Sequence, residues 1–249
     1  MAKPTSTRFS LLGRLVKGFV GALLIPPVMG LVIGVISQLD EINAGAHTAA
    51  YWFVWGLAAY AGTHLLLYRP KHLFQLNHAL LERLAVWLFG GQVATVGSEQ
   101  PASSKRPPKA KPKKGRPAPE GGEAPQASTL VVISPYLVPL YTVIISLLAW
   151  VATHWGGGEL FRIVTSLLLG ISLGFHLSMT GEDLQQHIDQ FPVEARLMAL
   201  TFSTLASWVV AALCVPMALA DFSLSGVLAQ MASSTQAIYA RVFGTLFFL

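Results

Sequence analysis

Apolar residues recur along the chain in runs of about 20, the length that carries an α-helix across a hydrocarbon core. The first run, about 19–39, follows a basic leader containing Lys3, Arg8, Arg14 and Lys17. It is longer than a signal-peptide core and lacks a small-x-small cleavage site, so it reads as a first transmembrane helix with a cytoplasmic N-terminus. Pro26-Pro27 predicts a kink within it. Asp40, Glu41 and His47 then mark a short acidic loop. A second span, about 49–67, ends at the basic boundary Arg69-Pro70-Lys71 and encloses His64, read as hydrogen-bonded to a neighbouring helix. Further spans are expected at about 129–151, 160–177 and 197–218, with a Gly156-Gly157-Gly158 turn between the first two. Pro135 and Pro139 should distort the start of 129–151 and free carbonyls that must find partners. Segment 178–194 reads as a hydrated acidic loop. Segment 223–249 is only partly apolar and is compatible with an interfacial helix or a final span.

One stretch breaks this alternation. Leu73–Val93, LFQLNHALLERLAVWLFGGQV, is apolar and helix-like, yet Gln75, His78 and Glu82 fall on one face at i, i+3 and i+7. Polar groups on a membrane helix are costly, so this face marks a candidate site. Arg83 beside Glu82 suits a partly hydrated position.

Composition supports the membrane reading. Hydrophobic residues make up 53% of the 249 and charged residues 12%, half the share of roughly 25% usual in soluble domains. The expected fold is an all-α membrane protein, a polytopic bundle of about five to six spans with one polar-faced re-entrant or interfacial helix. The domain plan is N-terminal helices over 1–97, including the polar-faced helix 73–90, then a linker over 98–128, then C-terminal transmembrane helices over 129–249. The linker is rich in Pro, Lys, Gly, Ala and Glu and cannot bury enough apolar surface to order itself.

Charge changes the picture only locally. Seven of the 17 Lys and Arg residues lie between Lys105 and Arg116, and the rest nearly balance the acids. The net charge of +5 therefore belongs to the linker. It gives no support to nucleic acid as a partner; anionic lipid headgroups are the partner that 105–116 could attract. The single cysteine, Cys214, lies in an apolar run, permits no internal disulfide or cysteine metal cluster, and reads as a buried thiol. The polybasic linker also bears on topology. If 73–89 crosses completely, the linker lands opposite the basic N-terminus; if it dips and returns, the linker stays cytoplasmic. The second arrangement is the one expected.

The blocks RPKHLFQLNHALLERLAVWLFGGQV, SPYLVPLYT and FHLSMT resemble, in that order, the site-2-protease-like membrane zinc metallopeptidases. The resemblance is to a bacterial branch with a HELTHALWAWLFGG-type motif and a PYFFPLYT-type span, and it covers about Tyr68 to Asp189. It implies an integral protein of the bacterial inner membrane. In that family two histidines of an HExxH helix bind zinc, the glutamate between them is the general base, and a later carboxylate completes the site. Registered on WLFGG, His78 takes the place of the first histidine, Ala79 that of the base and Glu82 that of the second histidine. The motif is thus degenerate, HALLE for HExxH. The metal ligands implied are His78, Glu82, His176 and Asp189. Glu182, Asp183 and His187 lie nearby, Glu182 and His187 being read as solvated charges.

Alanine cannot take a proton from water, and losing a general base costs about 10²–10⁴-fold in rate. The resemblance therefore points to a non-proteolytic, metallopeptidase-like protein that binds or scaffolds other membrane proteins. The alternatives are an active intramembrane zinc metalloprotease with an altered ligand set, and a transporter-like or structural subunit of a membrane complex.

Overall fold

The computed structural model describes residues 6–66, 70–89, 136–153, 156, 158–186 and 193–247. Among them are seven helices: α1 (Ser6–Asp40), α2 (Ala49–Leu66), α3 (Lys71–Phe89), α4 (Leu140–Thr153), α5 (Glu159–Gln186), α6 (Val193–Ala218) and α7 (Leu224–Phe247). A two-residue β-hairpin, β1 (Asn43–Ala44) and β2 (His47–Thr48), joins α1 to α2. Gly45 turns it at φ +75, a conformation glycine adopts without steric cost. The indole of Trp52 donates to the Ala44 carbonyl at 2.9 Å and ties the hairpin to α2.

Among the described residues, three helical segments are long and apolar enough to cross a membrane: Leu15–Asp40, Glu159–Gln185 and Leu197–Ala218, with mean hydropathies of 2.4, 1.7 and 1.9. The shorter helix α4 is also apolar. Four expected boundaries move. The basic leader is helical from Ser6, because its charges are spaced between apolar residues and nothing stops the helix. The span expected at 129–151 is helical as α4 only from Leu140, immediately after Pro139; residues 129–135 lie outside those described. Segment 178–194 is not a loop at its start, since α5 continues through Glu182 and Asp183 to Gln186. Segment 223–249 forms one helix, capped by Ser223, whose hydroxyl accepts from the Gly226 amide at 3.1 Å. The linker 98–128 lies outside the described residues.

The chain divides into two compact units, Met1–Asn77 with Tyr136–Leu249, and His78–Pro135. The first contains six whole helices and the opening turns of α3. Its directions follow from named contacts. Gly30 lies against Met231 and Thr235, and Gly34 against Val227, so α7 runs antiparallel to α1. Gly56 faces Leu167, Gly170 faces Phe53 and Gly174 faces Leu57, so α2 and α5 run parallel. Thr142 meets Ser172 at 3.0 Å and Tyr136 meets Asp183, so α4 runs antiparallel to α5. Arg162, at the start of α5, pairs with Asp221 after α6 at 3.0 Å and donates to the Asn43 carbonyl at 3.3 Å. The hairpin, the start of α5 and the end of α6 thus share one end of the unit. The end of α2 and the start of α4 share the other.

The apolar core runs between these helices through Leu31, Val35, Leu39, Phe53, Leu169, Leu173, Trp208 and Val215. Cys214 is buried in it as a free thiol. Small residues bring the backbones close, as expected where helix contact depends on packing more than on solvent exclusion.

The second proline of α1, Pro27, is matched by α7. Pro27 has no amide hydrogen, so the Leu23 carbonyl four residues earlier loses its helical donor. The Tyr239 hydroxyl donates to that carbonyl at 2.5 Å, and Thr235 donates to the Pro26 carbonyl at 3.4 Å. Tyr239→Phe should cost about 1 kcal/mol of stability. In a Pro27→Ala background, where the helix can supply its own donor, the same change should cost almost nothing. A double-mutant cycle of unfolding in detergent measures the difference.

Candidate functional site

The polar side chains of the first unit gather where α2 ends, α3 begins and α5 ends. Tyr60 and His64 sit one turn apart on α2, with the Tyr60 hydroxyl 3.3 Å from His64 Nδ1. His64 Nε2 lies 3.6 Å from a Glu182 carboxylate oxygen on α5. Lys71, the first residue of α3, approaches the other oxygen of Glu182 at 3.7 Å. His64 and Glu182 are largely buried, while Lys71 is half exposed. The lysine arm is therefore screened and contributes at most about 1 kcal/mol. The histidine–carboxylate contact is the more shielded of the two.

A second chain of contacts runs along the next face of α5. Tyr136 donates its hydroxyl to Asp183 at 2.5 Å. Its backbone carbonyl lies 3.3 Å from Nε2 of His176, two turns earlier on α5 and 2% exposed. A carbonyl only accepts, so this contact places a proton on Nε2. Between the two chains, Phe175 packs edge-on against Tyr60, Phe74 and Tyr141. The Tyr141 hydroxyl donates to the Leu73 carbonyl at 2.9 Å. The opening turns of α3 are thereby fixed to α4 and α5 within one unit.

The predicted site residues are only partly assembled by these contacts. His176 is buried in the first unit, and His78 is half-buried on α3 within the second. Gln75 and Ala79 are exposed. The Glu82 side chain, His187 and Asp189 lie outside the described residues. Among the described residues, no three His, Cys, Asp or Glu side chains are grouped to hold a metal ion. The described donors do not by themselves make a zinc site.

Glu182 departs from its reading as a solvated charge, because helix α5 carries it back against His64 and Lys71. Asn77, 1% exposed, was not singled out by the sequence pattern, and its amide makes no hydrogen bond among the described residues. The available signal was the polar run directly after an apolar one, which is where a membrane helix continues with a polar face.

The fold and this polar end define the class: a helical membrane protein with an internally paired polar cluster at one end. No protein-family model, curated protein or solved structure matches the chain.

Proposed function

We infer that the chain is a non-proteolytic, metallopeptidase-like protein of a bacterial inner membrane that works by binding other membrane proteins. Ala79 in the base position argues against efficient hydrolysis. The carboxylates of the polar cluster are engaged in holding helix ends together, Glu182 with His64 and Lys71, and Asp183 with Tyr136.

The observation that carries the binding reading is the outward face of α7. This helix is about 36 Å long and lies against α1 from Leu23 to Gly34, and on the reading proposed here it accompanies α1 across the membrane. One stripe of its exposed side presents Ser225, Ala229, Ser233, Gln236, Ala237 and Ala240, bordered by the exposed apolar Leu228 and Phe243. Lipid tails gain little from such a surface, whereas a partner helix can approach it closely and hydrogen-bond to it.

Orientation follows from charge. Arg162 apart, every Lys and Arg lies in a segment attached at the His64 end, whereas Asp40, Glu41, Glu159 and Asp221 lie at the hairpin end. The His64 end, with the N-terminus, is therefore the cytoplasmic one.

Photo-crosslinkers placed at Ser233 or Ala237 should give discrete protein adducts in native membranes. A crosslinker at Leu148, exposed on α4, should give lipid adducts only. Chelator-free purification should yield no zinc that depends on His78 and no cleavage of a membrane-embedded reporter. Stoichiometric zinc lost on His78→Ala, together with cleavage, would replace this reading with the metalloprotease.

A further inference from the structure

A different surface lies at the hairpin end, on the outward side of α2. A cavity of about 800 Å³ is bounded by Asp40, His47, Tyr51, Val54, Trp55 and Ala58. Tyr51, Val54, Trp55 and Ala58 fall at i, i+3, i+4 and i+7, so they share one helical face about 10 Å long on which two aromatic rings alternate with two aliphatic side chains. Asp40, exposed at the last residue of α1, closes the polar end. Its Oδ1 accepts from the Thr48 hydroxyl at 2.8 Å, which fixes the carboxylate beside the start of α2.

The polar end is suited to a cation. Asp40 adds to the negative end of the α1 dipole, and Glu41 follows it directly. Arg162, the one Lys or Arg of this end, is committed to Asp221 and the Asn43 carbonyl. The aromatic rings lie close together: His47 stacks on Tyr51 at 4.1 Å, and Tyr51 meets Trp55 at 6.2 Å. Trp55 is 54% exposed and Tyr51 39%, leaving ring surface that attracts a desolvated ammonium. An anionic headgroup would meet the opposite field. Val54, between the two rings, and Ala58, one turn beyond Trp55, offer only hydrocarbon contact.

We propose that this cavity binds an aminophospholipid, its headgroup ammonium set against Asp40 and the faces of Tyr51 and Trp55, with an acyl chain along Val54 and Ala58. Asp40 stands at the hairpin end of this face and Ala58 farthest along α2, so the direction from carboxylate to hydrocarbon repeats the direction from ammonium to acyl chain along the lipid. Interfacial aromatics alone would favour no headgroup charge; the carboxylate is what makes the surface selective.

The test is native mass spectrometry of the full-length chain in detergent, titrated with short-chain phosphatidylethanolamine or phosphatidylglycerol. Phosphatidylethanolamine should be retained in preference by about ten-fold, the order expected of a cation–π and charge contact combined. Asp40→Asn should remove that preference without weakening phosphatidylglycerol retention. Trp55→Leu, at a side chain exposed enough to leave the fold intact, should reduce phosphatidylethanolamine retention several-fold. Trp150→Leu, a half-exposed tryptophan on α4, should leave it unchanged. Equal retention of the two lipids, or a preference that survives both Asp40→Asn and Trp55→Leu, would overturn the proposal.

Discussion

Gly170→Val should dismantle the pairing of α2 with α5. A Cβ at this position would fall far inside van der Waals contact distance of the Phe53 carbonyl oxygen, and 2.9 Å from its carbonyl carbon. Gly56 faces the same crossing from the other side, against the Leu167 carbonyl and the Ile171 amide. The obstructing atoms belong to helix backbones, so no rotamer change relieves the clash and the helices must separate. Overpacking of this kind costs about 3 kcal/mol or more. Thermal unfolding in detergent should show a large fall in the midpoint for Gly170→Val and Gly56→Val. Gly62→Ala, on α2 where an added carbon meets nothing within 4 Å, should leave it unchanged or raise it slightly. The same crossing keeps the end of α2 beside the end of α5, so the His64–Glu182 contact should be lost along with it. An unchanged midpoint for Gly170→Val would mean that the two backbones do not approach closely.

The elements most legible in the sequence were those whose apolar runs are uninterrupted. The helices α1, α5 and α6 have high mean hydropathy and few internal charges, and their spans fall close to where the pattern placed them. The end of α5 was not legible, because Glu182 and Asp183 look like loop residues until their partners are known. Those partners are His64, Lys71 and Tyr136, 118, 111 and 47 positions away, and no local pattern encodes such contacts. Helix α7 was ambiguous for a related reason. Gln230, Ser233, Ser234, Thr235 and Gln236 lower its hydropathy, but Thr235 and Tyr239 are spent on carbonyls of α1. The prolines of α1 were visible, but the Tyr239 hydroxyl that compensates for Pro27 was not. At the candidate site, His78 and His176 could be singled out by resemblance, whereas the buried cluster around Glu182 required the parallel pairing of α2 and α5. That pairing depends on glycines whose role in close approach has no signature apart from their spacing.

A cysteine at Ser104, in the polybasic linker, should be labelled only from the cytoplasmic side. The reason lies in helix direction. Within the first unit, α2 ends beside Glu182 and α4 begins beside Asp183, so the chain leaves and re-enters at the same end of α5. Between Asn77 and Tyr136 it must therefore cross the membrane an even number of times. Residues 129–135 are too few to make a return crossing, a helical span needing about 20. In the topology proposed here, the linker stays on the side where α2 ends and α3 does not span by itself. The orientation proposed above puts that side in the cytoplasm, as the positive-inside bias of the basic segments expects. With Cys214→Ser as background, a membrane-impermeant maleimide applied to spheroplasts should modify Ala46→Cys, exposed in the hairpin, and leave Ser104→Cys unmodified until the membrane is opened. Labelling of both positions from outside would mean that α3 crosses completely. Labelling of Ser104→Cys alone would invert the orientation and with it the side on which the His64–Glu182 cluster meets its partners.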